Sequence, residues 1–137
     1  MEQKETIFTK IIQREIPAEI VYENDEVIAF LDINPNNPGH TLVVPKLWSN
    51  NLLDISLESW SAVMHAVHAL APRIQKAVGA DGINLMMNNE PAAGQIVPHT
   101  HVHIIPRFAN DGYMHWEGHP YLEGQMANVA TKIRATL

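Results

Sequence analysis

Cysteine is absent from the 137 residues of the chain. This absence excludes a disulfide framework, a cysteine-based zinc site and a thiol nucleophile. The sequence also has no apolar run near the ~20 residues that span a bilayer, and residues 1–5 lack the basic-then-apolar layout of a secretion signal. We therefore expect a cytoplasmic protein that does not associate with membranes and whose chemistry rests on side chains other than cysteine.

Basic residues are also few. The chain has 9 Lys and Arg against 15 Asp and Glu, which gives a formal net charge of -6. Nucleic-acid backbones are bound through Lys and Arg, so this balance argues against a nucleic-acid partner and leaves a small anionic ligand possible. The sequence has no internal repeat, and 46% of its residues are hydrophobic. We expect one domain over residues 1–137.

Hydrophobic periodicity predicts both strands and helices. Strand-like alternation or β-branched content covers five segments: residues 19–22, 27–32, 40–45, 83–87 and 99–105. Helical spacing predicts a short helix capped by Thr6, a long helix from Ser56 to Val78, and a weakly amphipathic helix over residues 121–137. Because Pro72 lies inside the long helix, we expect a kink or a break near His68. The predicted class is α+β, with a five-stranded, mainly antiparallel sheet, one long helix and short terminal helices.

Three histidines alternate with other residues in His99-Thr100-His101-Val102-His103. Successive side chains of a strand point to opposite faces, so the three imidazoles are predicted to share one face. Such a row is a histidine-rich solvent face, a metal site, or a centre for nucleophilic and acid-base chemistry. Metal binding by all three rings is disfavoured, because a rise of ~3.3 Å per residue places the outer two Cα atoms ~13 Å apart.

The chemical interpretation fits the properties of imidazole. Its unperturbed pKa of ~6.5 makes both protonation states available near neutrality, so a central ring can attack while its neighbours bind charge or move protons. A row of partly protonated rings also offers N–H donors to phosphate oxygens. The preceding loop contains Gly94, which lets backbone N–H groups approach a ligand closely. Phosphorus is therefore the favoured electrophile.

The histidine segment, together with Ala29-Phe30-Leu31-Asp32-Ile33 and Pro38-Gly39-His40-Thr41-Leu42-Val43-Val44-Pro45, resembles the histidine triad family. The resemblance covers roughly residues 5–108 and leaves 109–137 as a variable C-terminal segment. It is closest to the nucleotide-binding branch, with its nucleoside phosphoramidase activity, rather than to the fragile histidine triad branch. It implies a HIT-like fold, a homodimer, a purine nucleotide (an AMP or GMP moiety) as ligand, and no cofactor.

The resemblance also implies a role for each histidine. His101 would attack the α-phosphorus of a nucleotidyl substrate and form a nucleotidyl-histidine intermediate that water hydrolyses. His103 would bind a non-bridging phosphate oxygen, His99 would orient the nucleophile and handle the leaving-group proton, and His40 would support them. Asp32 would hold the ribose hydroxyls, since an ionised carboxylate accepts two hydrogen bonds.

Two further groups of residues follow from the resemblance. The phosphate and leaving group would be contacted by Asn88, Gly94, Gln95 and Ile96. The base would lie in an apolar slot formed by Ile7, Phe8, Ile11, Phe30 and Ile33. Ile96 replaces the hydroxyl residue of many relatives. Many bacterial relatives hold a structural zinc through two cysteines and a histidine, and the matching positions here are Thr6, Thr9 and Trp48, so we predict no metal.

Two alternatives to a phosphoramidase-like hydrolase stay open from the sequence. A dinucleoside polyphosphate hydrolase would use the same attack at an α-phosphate. A purine nucleotide-binding module that regulates a partner with little turnover would share most of the same residues.

Overall fold

The computed structural model describes residues 4–137 of the chain. Residues 1–3, which belong to the N-terminal stretch without a predicted secretion signal, lie outside the described residues. The strands are β1 (Ile20–Glu23), β2 (Val27–Leu31), β3 (Thr41–Pro45), β4 (Gly82–Met86) and β5 (Val102–Arg107). The α-helices are α1 (Ile7–Ile12), α2 (Leu57–Val78) and α3 (Gln125–Arg134). The prediction of a five-stranded antiparallel sheet with one long helix and short terminal helices is confirmed.

The strand order of the sheet is β1-β2-β3-β5-β4, and every neighbouring pair is antiparallel. Helix α2 connects β3 to β4 along the chain, but these two strands are not neighbours in the sheet, because β5 lies between them. Strand β5 therefore has a neighbour on both sides, whereas β1 and β4 are the edges of the sheet. None of the helices within residues 4–137 is long and apolar enough to cross a membrane.

The two faces of the sheet bury different helices, because side chains alternate along each strand. One face packs against α2 through a core of Val27, Ala29, Val43, Val63, Ala66, Val67, Leu70, Val102 and Ile104. The other face packs against α1 through Phe8, Ile11, Ile28, Phe30, Leu42 and Val44. His103 pairs with Leu42 of β3 and so lies on the α1 face of the sheet.

Helix α2 begins after Ser56, whose side chain accepts a hydrogen bond from the Ser59 N–H, and ends at Gly79 in the left-handed region. A kink or a break was expected near His68, and the break does not occur, because the helix continues through Pro72. Proline removes only the one hydrogen bond that residue 72 would donate to residue 68. The buried α2 stripe against the sheet holds the helix together across that gap.

The predicted fifth strand differs most from the structure. We expected residues 99–105 with Pro106 as the end, whereas β5 begins at Val102 and includes Pro106. Strand β5 pairs with β3 only as far as Ile104, so Pro106 pairs with β4 alone. Proline has no N–H to donate, and at this position β3 offers no partner that would need one. At the other end, the Thr100 N–H bonds to the Ser49 carbonyl instead of a neighbouring strand. Only His103 of the three histidines therefore lies within the strand.

The C-terminal helix belongs to neither of the two cores on the sheet. Helix α3 covers less of the chain than the predicted 121–137, and it has no buried residue. The chain forms no helix or strand from residue 108 to residue 124.

Candidate active site

His99 is the most buried of the histidines, with no exposed surface. Its Nε2 lies 3.0 Å from the Pro45 carbonyl oxygen, which only accepts hydrogen bonds, so the ring proton is on Nε2. Nδ1 then carries the lone pair and accepts from the Thr6 hydroxyl at 2.9 Å. Both ring nitrogens are engaged with protein atoms, so handling a leaving-group proton would require one of these hydrogen bonds to open.

His101 has the opposite tautomer. Its Nδ1 lies 2.6 Å from the His99 carbonyl oxygen and must donate, which leaves the lone pair on Nε2. Within residues 4–137, every fully buried side-chain nitrogen or oxygen has a hydrogen-bond partner. His101 Nε2 has no protein partner in that part of the chain, so it is not fully buried. Nε2 is therefore reachable from solvent even though the side chain is only 8% exposed. A fixed, unprotonated and accessible nitrogen is what nucleophilic attack requires.

Phe8 fixes the plane of the His101 ring. Its ring centroid lies 5.0 Å from that of His101 at an interplanar angle of 79°, and 5.8 Å from that of His99. Edge-to-face contacts of this kind are favourable between aromatic rings. Because Phe8 belongs to α1, the N-terminal helix packs directly on the histidine segment.

His40 and His103 form a hydrogen-bonded pair. The Asn36 N–H donates to His40 Nδ1 at 3.1 Å, so the proton of the neutral His40 ring is on Nε2. That N–H donates to His103 Nδ1 at 2.8 Å, which leaves His103 with its own proton on Nε2. His103 therefore presents an N–H donor next to the free nitrogen of His101, and the two ring centroids are 4.9 Å apart.

The four rings are held neutral. Burial lowers the pKa of His40, His99 and His101 below the ordinary value, since desolvation disfavours the charged form. Burial, with the neighbouring His101 and His40, lowers the pKa of His103 to about 4. The expectation of partly protonated rings at neutral pH is therefore wrong: burial outweighs the ordinary basicity of imidazole, and each ring offers one N–H only.

Asp32 lies beside the His40–His103 pair, and its Oδ2 is 3.7 Å from His40 Nε2. Its Oδ1 accepts from the Asn34 N–H at 2.8 Å. Single ligand atoms of Asp32, His40 and His103 lie within 4.8 Å of one another, which is a geometry that a metal ion could use. A metal on His40 Nε2 would, however, force the ring proton to Nδ1, where it would face the Asn36 N–H, whereas metal-bound histidines normally donate their second N–H to an acceptor. The hydrogen bonds favour proton chemistry here over metal binding.

The loop between β4 and β5 includes a 3₁₀ turn (Pro91–Ala93) followed by Gly94, which has a φ of +93°. The Asn88 side chain donates to the Gly94 carbonyl at 3.4 Å. Gln95 accepts from Asn51 and the Glu90 N–H, and it donates to the Asn50 and Val97 carbonyls. The Gln95 side chain thus bonds to other residues of the protein, and only the Gln95 backbone remains to contact a ligand.

Ile96, next in the chain, is 91% exposed. The five residues predicted to form the base slot separate into two groups. Phe8, Ile11 and Phe30 are buried in the core, whereas Ile7 is 47% and Ile33 is 86% exposed. A cavity of about 600 Å³ lies elsewhere on the sheet, and its lining includes Asn36, Ile105 and Tyr113 but none of the predicted site residues.

Comparison with known proteins identifies the family. A model of the HIT domain matches residues 13–110. The chain belongs to the HIT family. It is 41% identical over 104 residues to the purine nucleoside phosphoramidase of Escherichia coli K12, and this match covers 74% of this chain and 87% of that protein.

Two further HIT proteins extend the comparison. The chain is 41% identical over 109 residues to the adenylylsulfatase HINT3 of Arabidopsis thaliana, covering 80% of this chain and 55% of the plant protein. The crystal structure of SMU.412c from Streptococcus mutans UA159 superposes with a TM-score of 0.92 at 37% identity, covering 98% of this chain and 87% of that one. The predicted family and fold are therefore confirmed.

Several contacts of this HIT chain were not predictable from its sequence. Thr6, predicted only as a helix cap and a residue in place of a zinc ligand, bonds to His99. Trp48, named only in place of a zinc ligand, donates from Nε1 to the Pro98 carbonyl at 2.9 Å. Ser49 and Thr100 are joined at 2.6 Å through their hydroxyls. The Asn36 N–H determines the tautomer of His40. The first three contacts have no local signal, because their partners lie about 50 or more residues apart in the chain. The fourth joins two residues of the loop before β3.

Proposed function

We propose that this HIT-family protein is a purine nucleotide-binding hydrolase that cleaves at the α-phosphate of nucleoside phosphoramidates or related nucleotidyl conjugates. The observation that supports it best is the pair formed by His101 and His103. One ring presents a lone pair on Nε2, and its neighbour presents an N–H donor. A nucleophile and an adjacent donor suit attack on a phosphorus whose oxygens gain charge in the transition state.

In the first step, the Nε2 lone pair of His101 forms a bond to the α-phosphorus. The bond from phosphorus to the leaving nitrogen or oxygen breaks with its electron pair, and the leaving group takes up a proton from solvent. The His101 ring becomes positively charged, and its Nδ1–H then makes a stronger, charge-assisted hydrogen bond to the His99 carbonyl. We assign His99 the role of orienting the His101 ring through its carbonyl oxygen. We do not assign it the transfer of the leaving-group proton, because both of its ring nitrogens already bond to Thr6 and Pro45.

In the second step, water attacks the phosphorus of the nucleotidyl-histidine. The P–Nε2 bond breaks, its electron pair returns to His101, and the water loses a proton to solvent. The His103 N–H and backbone N–H groups near Gly94 would hold the non-bridging oxygens through both steps, which is electrostatic stabilisation by fixed donors. No step uses a metal.

The nucleoside part of the substrate would lie along α1 and the end of β2. Asp32 at the end of β2 would accept hydrogen bonds from the ribose hydroxyls, with Ile7 and Ile33 as the exposed apolar side chains beside the base. The name of the Escherichia coli relative supports a purine nucleoside phosphoramidate as the first substrate to test. The name of the plant relative makes an adenylyl conjugate the second.

The deciding experiment is mass spectrometry of the protein mixed with adenosine phosphoramidate and quenched in the cold. We expect a mass increase of one AMP moiety on His101 and its absence in His101→Asn. The exposed His65 on α2 offers a matched control, since His65→Asn should keep both the adduct and turnover. Tight AMP binding without adduct or turnover on either substrate would instead favour a regulatory nucleotide-binding module.

We further propose that the protein is a homodimer joined through β4. This strand is an edge of the sheet, and its Leu85 and Met86 are 52% and 37% exposed. An edge strand with exposed apolar side chains is a template for pairing with a second chain. Light scattering after gel filtration should give twice the chain mass, and Leu85→Lys should shift it toward the monomer. A monomeric wild-type protein at micromolar concentration would refute the dimer.

A further inference from the structure

Residues 111–113, which we call the strap, are held against the end of β5. Arg107 Nε donates to Asp111 Oδ2 at 2.8 Å, and a terminal nitrogen of the same guanidinium donates to Oδ1 at 3.0 Å. Asp111 also accepts from the Phe108 and Tyr113 N–H groups. A two-pronged Arg–carboxylate pair with extra backbone donors fixes orientation as well as charge, so the strap is a defined structure.

The strap holds two neighbouring residues of the loop that precedes His40. The Tyr113 hydroxyl donates to the Asn36 carbonyl at 2.8 Å. The Asn37 side chain donates to Asp111 Oδ2 at 3.0 Å and to the Pro106 carbonyl at 2.9 Å. These bonds fix the peptide group between Asn36 and Asn37 and the side chain of Asn37, and so restrict how the adjoining Asn36 N–H can turn.

The position of Asn36 matters because its N–H points at His40 Nδ1. While it does so, the His40 proton stays on Nε2 and is donated to His103 Nδ1. If the Asn36 N–H turns away, the His40 proton can move to Nδ1, and His40 Nε2 then accepts a hydrogen bond from His103 Nδ1–H. His103 would in that case present a lone pair on Nε2, which repels a phosphate oxygen instead of binding it.

We propose that Tyr113 is a positioning residue that, through Asn36 and His40, keeps His103 in the tautomer with its proton on Nε2. Its hydroxyl is the only part that the proposal requires. The catalytic consequence rests on the proposed function, whereas the effect on the tautomer does not. The aromatic ring of Tyr113 has a separate contact, since Arg107 lies 5.7 Å from its centroid.

The test compares Tyr113→Phe with Tyr113→Leu and with the control Tyr22→Phe, which removes a surface hydroxyl on the distant strand β1. The readouts are the ¹⁵N chemical shifts of the His40 and His103 ring nitrogens, and kcat and KM for adenosine phosphoramidate. In the wild type, His103 Nε2 should have the shift of a protonated nitrogen. Tyr113→Phe should move it toward the unprotonated value and lower kcat about 3- to 10-fold, the size expected for one neutral hydrogen bond, with KM within about twofold.

Wild-type shifts in Tyr113→Phe would overturn the proposal, whether or not kcat changes. A loss of protonation at His103 Nε2 in Tyr113→Leu alone would also overturn it, because the ring packing on Arg107 would then be responsible. If the wild-type protein turns over no nucleotidyl substrate, the proposed function fails, but the ¹⁵N shifts still decide the role of the strap.

Discussion

The Thr6 hydroxyl lies 2.9 Å from His99 Nδ1, although the two residues are 93 positions apart. The same oxygen accepts from the Thr9 N–H and so caps α1, while Thr9 accepts from the Thr6 N–H in return. One side chain therefore starts the N-terminal helix and donates a hydrogen bond to a buried histidine, whose tautomer the Pro45 carbonyl sets. The helix that carries Phe8 is tied in this way to the segment that carries His101.

Removal of this hydroxyl is expected to destabilise the fold. Thr6→Val should lower the free energy of unfolding by about 1–3 kcal/mol, because it removes a helix cap and leaves His99 Nδ1 buried without a donor. Denaturant unfolding at pH 7.5 measures the difference. Thr6→Ser keeps the hydroxyl and should lose less than about 1 kcal/mol. A loss in Thr6→Ser as large as that in Thr6→Val, which keeps a methyl group, would contradict a dominant role for the hydroxyl.

Acid is expected to weaken the fold between about pH 6.5 and 4. His103 has a pKa of about 4 in the folded protein and 6.5 as its ordinary value, so in this window the unfolded chain binds more protons. The free energy of unfolding should therefore fall as the pH falls, by about 1–3 kcal/mol from this residue. The lowered pKa values of His40, His99 and His101 act in the same direction. The carboxyl of Asp111, paired with Arg107, adds a loss only below its ordinary value of 3.8.

The variant His103→Asn isolates this contribution, since it removes the titrating group. The difference between the free energies of unfolding in urea at pH 7 and pH 5 should be smaller for this variant than for the wild type. The exposed His65→Asn serves as the reference and should leave the difference unchanged. A wild-type protein that is equally stable at both pH values would contradict neutral, buried histidines.

Gly39 is expected to be essential for the turn into His40. Its φ is +95°, and a Cβ there would lie 2.9 Å from Val78 Cγ1 and 3.1 Å from Pro106 Cγ. Gly39→Ala should therefore lower the free energy of unfolding by more than the ~1 kcal/mol that a non-glycine residue loses in the left-handed region without a clash. Gly79→Ala is the matched control, because Gly79 also has a positive φ, of +68°, with open space around its Cβ. Thermal unfolding should give a clearly larger loss for Gly39→Ala, and equal losses would show that Val78 and Pro106 yield without cost.

The sequence predicted what depends on local pattern. The five strands, the long helix with its cap at Ser56 and the cluster of histidines follow from periodicity and spacing, and the structure has all of them within a few residues. The start of β5 was predicted wrongly because alternation continues through His99, whereas the Thr100 N–H donates to the Ser49 carbonyl instead of to a neighbouring strand. A pattern of period two does not distinguish a strand from an extended segment held by a loop.

The state of the histidines was beyond the sequence for a different reason. The tautomer of each ring depends on a hydrogen-bond partner that the pattern of histidines does not specify, such as the Pro45 carbonyl for His99 and the Asn36 N–H for His40. Their neutral state depends on burial, which alternation alone does not measure. The residue types of the site were therefore predictable, and their protonation was not.

Ile96 offers a direct test of the leaving-group side of the proposed site. Its side chain is 91% exposed, so Ile96→Ser should leave the free energy of unfolding within about 0.5 kcal/mol of the wild type. If residue 96 contacts the leaving group, the new hydroxyl adds a hydrogen-bonding group there and should change kcat/KM by about 3- to 10-fold. The change should depend on the leaving group, and a comparison of adenosine phosphoramidate with adenylyl sulfate measures this. Leu53→Ser, at a residue 72% exposed in the loop before α2, controls for a general surface effect. An equal change for both substrates, or the same change in Leu53→Ser, would place the leaving group away from residue 96.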